Sequence, residues 1–252
     1  MRYALLAAIA LIAACGQSEP PPPLPVAAAT TATAPWFICD AIDAPVLLVF
    51  ERDGATARVA QYDKPNGALI RRTEYEIGAE EGAMSSTYTT LMQNGAEAGA
   101  VRRLSADALE TPGAAYTPVY SSVRLGDREI SCRWMPRTRL MGFTGRRTIV
   151  VSEDADGDLL YHAYDFATAA DAQQIELSEN GRTTTFSLEV RDGAEATTHE
   201  GSTRYDFRAD TETEISISTD RAGAGRVEVR RHGPNPQQSE DLISYVVGAG
   251  AE

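Results

Sequence analysis

The chain has 252 residues and carries 36 acidic against 23 basic side chains, a formal net charge of −13. That excess makes nucleic acid and, on global charge, anionic membrane surfaces poor partners. The length allows one large or two small domains beyond any targeting segment, and Lys64 is the only lysine among many arginines, which is a compositional bias more than a mechanism.

Residues 1–14 read as a signal peptide: Arg2 lies in a short polar start, and the apolar run from Tyr3 to Ala14 is too short to span a bilayer. The run closes on Ile12-Ala13-Ala14-Cys15. An aliphatic residue, two small residues and a cysteine resemble the lipobox of bacterial lipoproteins. Small side chains let a peptidase approach the backbone, and the thiol can take a diacylglycerol thioether. The resemblance implies cleavage before Cys15 and acyl chains, palmitate among them, on that residue, and several such chains anchor firmly where one does so marginally. Gly16, in place of the aspartate that retains such proteins at the inner membrane, implies the periplasmic face of the outer membrane. The alternative is an ordinary secretory signal in which Cys15 is incidental. Residues 15–35 contain Pro20-Pro21-Pro22-Pro23-Leu24-Pro25 and an Ala/Thr stretch, and read as a tether.

With Cys15 taken by lipid, Cys39 and Cys132 remain in an oxidising compartment, where two thiols of one domain most often pair. A Cys39–Cys132 disulfide is expected, with two buried free thiols as the competing reading. Neither cysteine has a Cys or His neighbour at metal-ligand spacing.

From Trp36 onward the chain reads as all-β, in two small antiparallel units of barrel or sandwich type: a disulfide-closed domain over 36–140 and a second over 141–248, with 249–252 as a tail. Asp53-Gly54, Asn66-Gly67, Asn94-Gly95, Asn180-Gly181 and Asp192-Gly193 are hairpin-type turn signals between segments rich in Val, Ile, Thr, Tyr and Phe. Alternation predicts a half-buried strand over 183–190, with Phe186, Leu188 and Val190 on one face, and further strands around Ile215/Ile217 and Val227/Val229. Single helical turns are expected over 105–109 and 168–174.

Chemistry-bearing residues are sparse. Arg133, Arg137, Arg139, Arg146 and Arg147 form the one basic concentration in an acidic chain; they either bind an anionic group or pair with the protein's own carboxylates across a domain junction. Asp154, Asp156 and Asp158 fall on alternate places of an EF-hand-like template, but the first place is Ser152 and the twelfth Ala163, so a solvated β-turn competes with weak Ca²⁺ binding. No G-x-S-x-G elbow, H-E-x-x-H or phosphate-cradling glycine loop occurs, and His162, His199 and His232 are far apart in sequence. Glu80-Glu81 and the acids Asp210, Glu212 and Glu214 do not single out a catalytic pair. No catalytic residue, cofactor or resident metal is therefore expected.

The stretch from Trp36 to Trp134 resembles the membrane-bound inhibitors of c-type lysozyme, small β-barrel lipoproteins of the bacterial envelope. The resemblance rests on Phe37-Ile38-Cys39-Asp40, the apolar strand Val46 to Phe50, Gly82-Ala83-Met84-Ser85-Ser86-Thr87-Tyr88, and the closing Ile130-Ser131-Cys132. It implies an inhibitory loop at Ser85 and Ser86, with Arg102 or Arg103 as the nearby cation, and a basic protein such as lysozyme as partner. Two functional classes follow: an outer-membrane-anchored, non-catalytic binding protein, or a structural or assembly lipoprotein that contacts another envelope component.

Overall fold

Hairpin chemistry builds the first sheet. The computed structural model describes residues 34–105, 116–169, 174–177, 181–184, 186–197, 202–220, 222–233 and 237–248; the residues expected to form the signal peptide, Cys15 and almost all of the tether lie outside these, as does the tail. Eight strands follow one another: β1 (Phe37–Asp40), β2 (Val46–Asp53), β3 (Thr56–Asp63), β4 (Leu69–Ala83), β5 (Ser86–Gln93), β6 (Ala96–Leu104), β7 (Tyr120–Leu125) and β8 (Arg128–Ser131). Each pairs antiparallel with the next, in the order β1 to β8. Asn94 and Gly95 both take positive φ, 52° and 75°, as a type I′ hairpin requires. The meander then returns on itself. Ala41, just past β1, bridges to Cys132, just past β8, and Ile42 N–H donates to the Ser131 carbonyl at 3.0 Å. The result is a nearly closed, barrel-like sheet. Its interior holds Phe37, Leu48, Phe50, Leu91, Val101 and Ile130.

The second sheet has nine strands, introduced in chain order as β9 (Thr138–Phe143), β10 (Arg147–Glu153), β11 (Leu159–Asp165), β14 (Leu188–Thr197), β15 (Thr203–Arg208), β16 (Thr213–Thr219), β17 (Gly225–Arg231), β18 (Gln238–Asp241) and β19 (Ser244–Val247). Between β11 and β14 lie a helical turn, α1 (Phe166–Ala169), and a separate hairpin of β12 (Gln174–Leu177) and β13 (Gly181–Thr184). The strand order is β18-β17-β16-β15-β14-β11-β10-β9-β19, so consecutive strands β18 and β19 sit at opposite ends. Two residues join them. Leu242 N–H donates to the Gly225 carbonyl of β17, and Ile243 N–H donates to the Phe143 carbonyl of β9, both at 2.8 Å. The sheet is therefore curled until its ends meet around Leu140, Tyr161, Tyr205, Ile215, Ile217 and Leu242.

A third buried cluster joins the two sheets. Ile38, Leu47, Val49 and Ala60 from the outside of the first meet Met141, Phe143, Val150, Tyr164 and Phe166 from the outside of the second. Strands that serve an interior and this junction at once are buried on both faces, which is why β2 begins as the unbroken apolar run Val-Leu-Leu-Val-Phe and β10 carries Ile-Val-Val. Both sheets belong to one compact unit.

Two local expectations are corrected. The stretch 183–190 is not one strand: β13 ends at Thr184 and β14 starts at Leu188 in another sheet, Phe186 and Leu188 stay exposed, and only Val190 reaches the core. Asp192-Gly193 is not a hairpin turn but a bulge inside β14, where the strand changes partner from β11 to β15. A Cβ at Gly193 would lie 2.2 Å from the Phe207 ring, so the glycine is there for a close approach. The helical turn expected over 168–174 meets α1 at residues 168 and 169, while residues 170–173 lie outside the described residues and Gln174 opens β12. Of the one expected over 105–109, residues 106–109 lie outside the described residues, as does Asn180 of the Asn180-Gly181 signal.

Candidate functional site

The seam of the first sheet carries a compact polar assembly. Cys39 and Cys132 form a disulfide across a sequence separation of 93 residues, and both are wholly buried. Side chains alternate along a strand, so the residue after each cysteine points out of the barrel and into the junction. These residues are Asp40 and Arg133. Arg133 N–H donates to the Asp40 carbonyl at 2.8 Å, and Arg133 Nε lies 2.7 Å from Asp40 Oδ2. Lys64 Nζ lies 2.6 Å from Asp40 Oδ1 and donates to the Ala41 carbonyl. Burial alone would raise the Asp40 carboxyl, but the two cations beside it outweigh that and hold it down to about 2.

Arg133 continues the chain of contacts into the second sheet. Its guanidinium lies over the Tyr164 ring, 3.5 Å from the centroid, and Tyr164 stacks beside His162. His162 Nε2 is 3.0 Å from Glu189 Oε2, and Arg191 Nη2 pairs with the other Glu189 oxygen at 2.7 Å. Burial holds the imidazole below its ordinary value against the opposing pull of Glu189. The Glu189 carboxyl is lowered because hydrogen bonds from Arg191 and His162 outweigh its desolvation.

The five arginines that are neighbours in sequence part company in space. Arg133 enters the junction. Arg137 Nε donates to the Glu153 carbonyl at 3.3 Å, and Arg139 meets Glu195 at 2.8 Å and Glu153 at 3.4 Å. At the opposite end of the β9–β10 hairpin, Arg147 pairs with Asp165 at 3.3 Å and Glu240 at 3.2 Å, while Arg146 lies 3.7 Å from Glu240. The hairpin separates these pairs because residues in an extended strand advance about 3.3 Å each. Buried Tyr161 and Tyr205 lie beside Arg147 and Arg139, and burial pushes both phenols up to about 12.

Asp154 is committed to its own turn: Oδ1 accepts from the backbone N–H of Asp156 at 2.9 Å and of Asp158 at 3.0 Å. Among the described residues no three His, Cys, Asp or Glu side chains are gathered as a cation site. The expected inhibitory loop divides. Met84 and Ser85 form the two-residue turn of the β4–β5 hairpin, with Met84 at φ 46°. Met84 is fully exposed and Ser85 is exposed, whereas Ser86 is buried. The Ser86 hydroxyl accepts from Arg102 Nε at 3.0 Å, and the Arg102 guanidinium lies over Tyr88, 5.8 Å from its centroid. Glu80 and Glu81, on the same hairpin, are exposed.

The chain finds no match among protein-family models, curated proteins or solved structures. Its reading therefore rests on residues alone.

Sequence reasoning missed Lys64, Met84 and the His162–Glu189 pair as structural or functional groups. A signal existed for the first: a lone lysine in an arginine-rich chain, with opposite charges directly after the two cysteines. Met84 has none, because its turn lacks the Gly, Asn or Asp that marks a hairpin.

Proposed function

We propose that this chain is a lipid-anchored protein of the bacterial envelope that binds a protein partner without catalysis, displayed on the periplasmic face of the outer membrane. The observation that carries the reading is the β4–β5 tip. Met84 stands bare to solvent at the end of a 15-residue strand, with Glu80 and Glu81 exposed behind it. An apolar side chain held out by a paired hairpin, with acids nearby, suits a basic partner that offers a hydrophobic recess. The Ile12-Ala13-Ala14-Cys15 sequence supports the anchor, and the Cys39–Cys132 bridge fits an oxidising compartment.

A c-type lysozyme is one basic partner of this kind. That narrower reading draws on the family resemblance and on the exposure of Ser85 at the turn; the alternative partner is another component of the envelope, in a structural or assembly role. The test places a photocrosslinking amino acid at Met84 or, as a control, at Gly54 of the full chain in cells. A protein adduct from position 84 alone is expected, and equal labelling or none at either position overturns the binding role. Titration of the oxidised protein into a lysozyme lysis assay then assigns the partner: inhibition lost in Met84→Asp identifies lysozyme, and no inhibition leaves the envelope component.

A further inference from the structure

β4 outruns its neighbour β3. The ladder between them ends where Thr56 faces Glu76 and Ile77 N–H donates to the Ala55 carbonyl at 2.7 Å, yet β4 continues to Ala83. Over that last stretch β5 pairs with one side of β4, and among the described residues no strand pairs with the other. The edge is therefore open from Gly78 to the turn at Met84 and Ser85.

The register settles which backbone groups face this edge. Ala83 and Ser86 flank a two-residue turn and so exchange both hydrogen bonds, and the alternation of an antiparallel ladder makes Glu81 and Tyr88 the next bonded pair. The N–H and C=O of Glu80 and Gly82 consequently point away from β5. A bulge sets this phase: Gly78 and Ala79 together oppose Thr90, which shifts the alternation by one residue. Among the described residues no backbone group outside β5 bonds to Glu80 or Gly82.

Side chains leave the edge uncovered. Ala79, Glu80, Glu81 and Gly82 are all exposed, and a Cβ at Gly82 would meet nothing within 4 Å. An unpaired row of alternating donors and acceptors is completed by another extended strand. Glu80 and Glu81 point to opposite faces of the sheet, and neither forms an ion pair among the described residues. The arginines in register with this stretch, Arg102 opposite Tyr88 and Arg103 opposite Thr87, lie on β6, two strands or about 10 Å in from the edge. Arg102 is turned to Ser86 and Tyr88, so the edge itself carries only acids. Two copies joined antiparallel through residues 80–82 would set Glu81 opposite Glu81, and like charges directly opposite are destabilising. A strand with basic side chains beside the two glutamates escapes that repulsion and gains an ion pair on each face.

We propose that residues 80–83 are a strand-addition site: an extended segment of a partner protein, basic at the positions beside Glu80 and Glu81, pairs with the open edge of β4 through the backbone of Glu80 and Gly82. This rests on the reading of the β4–β5 tip as the partner-binding end of the molecule and gives that reading its mode of recognition. Backbone bonds hold the added strand, the two glutamates select its basic residues, and Met84 supplies an apolar contact at its end. The four residues extend about 13 Å, so a short exposed segment suffices.

The test follows amide hydrogen exchange in the isotope-labelled, oxidised chain from residue 15 onward, with Cys15→Ala. The probe is an acetylated and amidated peptide, Thr-Val-Thr-Lys-Lys-Thr-Val-Thr, at millimolar concentration. Exchange at the Glu80 and Gly82 amides should slow about tenfold or more, while Glu81 and Ala83, already bonded to β5, change little. Methylating one alternate set of peptide nitrogens should abolish the effect, methylating the other set should leave it, and replacing both lysines by glutamate should weaken it several-fold. Gly82→Pro removes an outward donor without touching the β5 ladder and should abolish protection at Glu80, whereas Gly82→Ala should keep it; the methylated peptides keep the test valid if the proline disturbs the hairpin. No slowing, equal slowing at all four amides, indifference to methylation of either set, or slowing that grows with the chain's own concentration in the absence of peptide would overturn the proposal. The photocrosslinking amino acid at Met84 in cells separates the two readings. An adduct that persists in Gly82→Pro overturns strand addition and leaves the tip as a binding site, whereas no adduct, with Glu80 and Gly82 still protected by the peptide, removes the tip reading alone.

Discussion

The eight-stranded sheet joins its ends through a disulfide and a buried ion pair, whereas the nine-stranded sheet joins its ends through glycine and close packing. In the first, Cys39–Cys132 crosses the seam from inside and Asp40–Arg133 crosses it from outside. In the second, Gly142 and Gly225 lack the Cβ that would meet Tyr245 and Leu242, and the Tyr245 hydroxyl donates to the carbonyls of Asp220 and Ala224 at 2.9 and 3.2 Å. The difference teaches where each half is vulnerable: the first to reduction and strong acid, the second to added volume.

The largest expected effect comes from the covalent seam. A Cys39→Ala/Cys132→Ala variant should lose about 4–5 kcal/mol by the chain-entropy argument, read as a lower urea midpoint, while Gly142 and Gly225 keep their own contacts. An undiminished midpoint would mean that the hydrogen-bonded seam suffices without the bridge. Next in size is Arg133→Ala, which leaves Asp40 buried with Lys64 alone and removes the cation over Tyr164; a loss of about 3–5 kcal/mol is expected from breaking a buried pair. A loss below that of an exposed ion pair would show that Lys64 alone neutralises the carboxylate.

Acid should separate the junction's two titrating groups. Asp40 is held at about 2 in the folded chain, against an ordinary 3.8, so its contribution is complete above pH 3.8 and is lost as pH falls through about 2. By proton linkage that contribution is on the order of 2 kcal/mol. His162 is also depressed, through burial; the unfolded chain binds its proton first, so stability falls as pH drops below the ordinary value of 6.5. Urea midpoints measured against pH should show both losses, with His162→Gln flattening the upper limb and Asp40→Asn the lower. An unchanged upper limb in His162→Gln would mean that Glu189 fully offsets the burial. The smallest effect is expected at Gly142→Ala, where a Cβ would sit 2.9 Å from Tyr245 Cβ. Overpacking there should cost about 1–3 kcal/mol, measured by the same denaturation and additive with the disulfide variant, because the two seams share no residue.

Much of the architecture was legible. Ile215, Ile217 and Val227 alternate in sequence and are buried in one core, and Asn94-Gly95 makes the turn its composition demands. Legibility ended where one segment serves two neighbours. Thr183 to Val190 alternates like a single strand, yet its halves belong to different sheets. The candidate sites were harder still. The run from Arg133 to Arg147 looks like one basic cluster, but a hairpin carries its members to a junction and to two opposite ends, each beside acids from distant strands.

By itself the sequence determined what depends on local preference: β-rich segments, most of the turns, the pattern that resembles a lipobox, and a pair of cysteines suited to bonding. Which residues share a site was decided only by tertiary structure. Asp40, Lys64, Arg133 and Tyr164 come from four distant segments, and burial turns their charges into a bonded group. The physical reason is that a strand's period of two records which residues are apolar and in what order, while strand partner and sheet curvature, which place one residue beside another, are set by contacts between chain segments far apart in sequence.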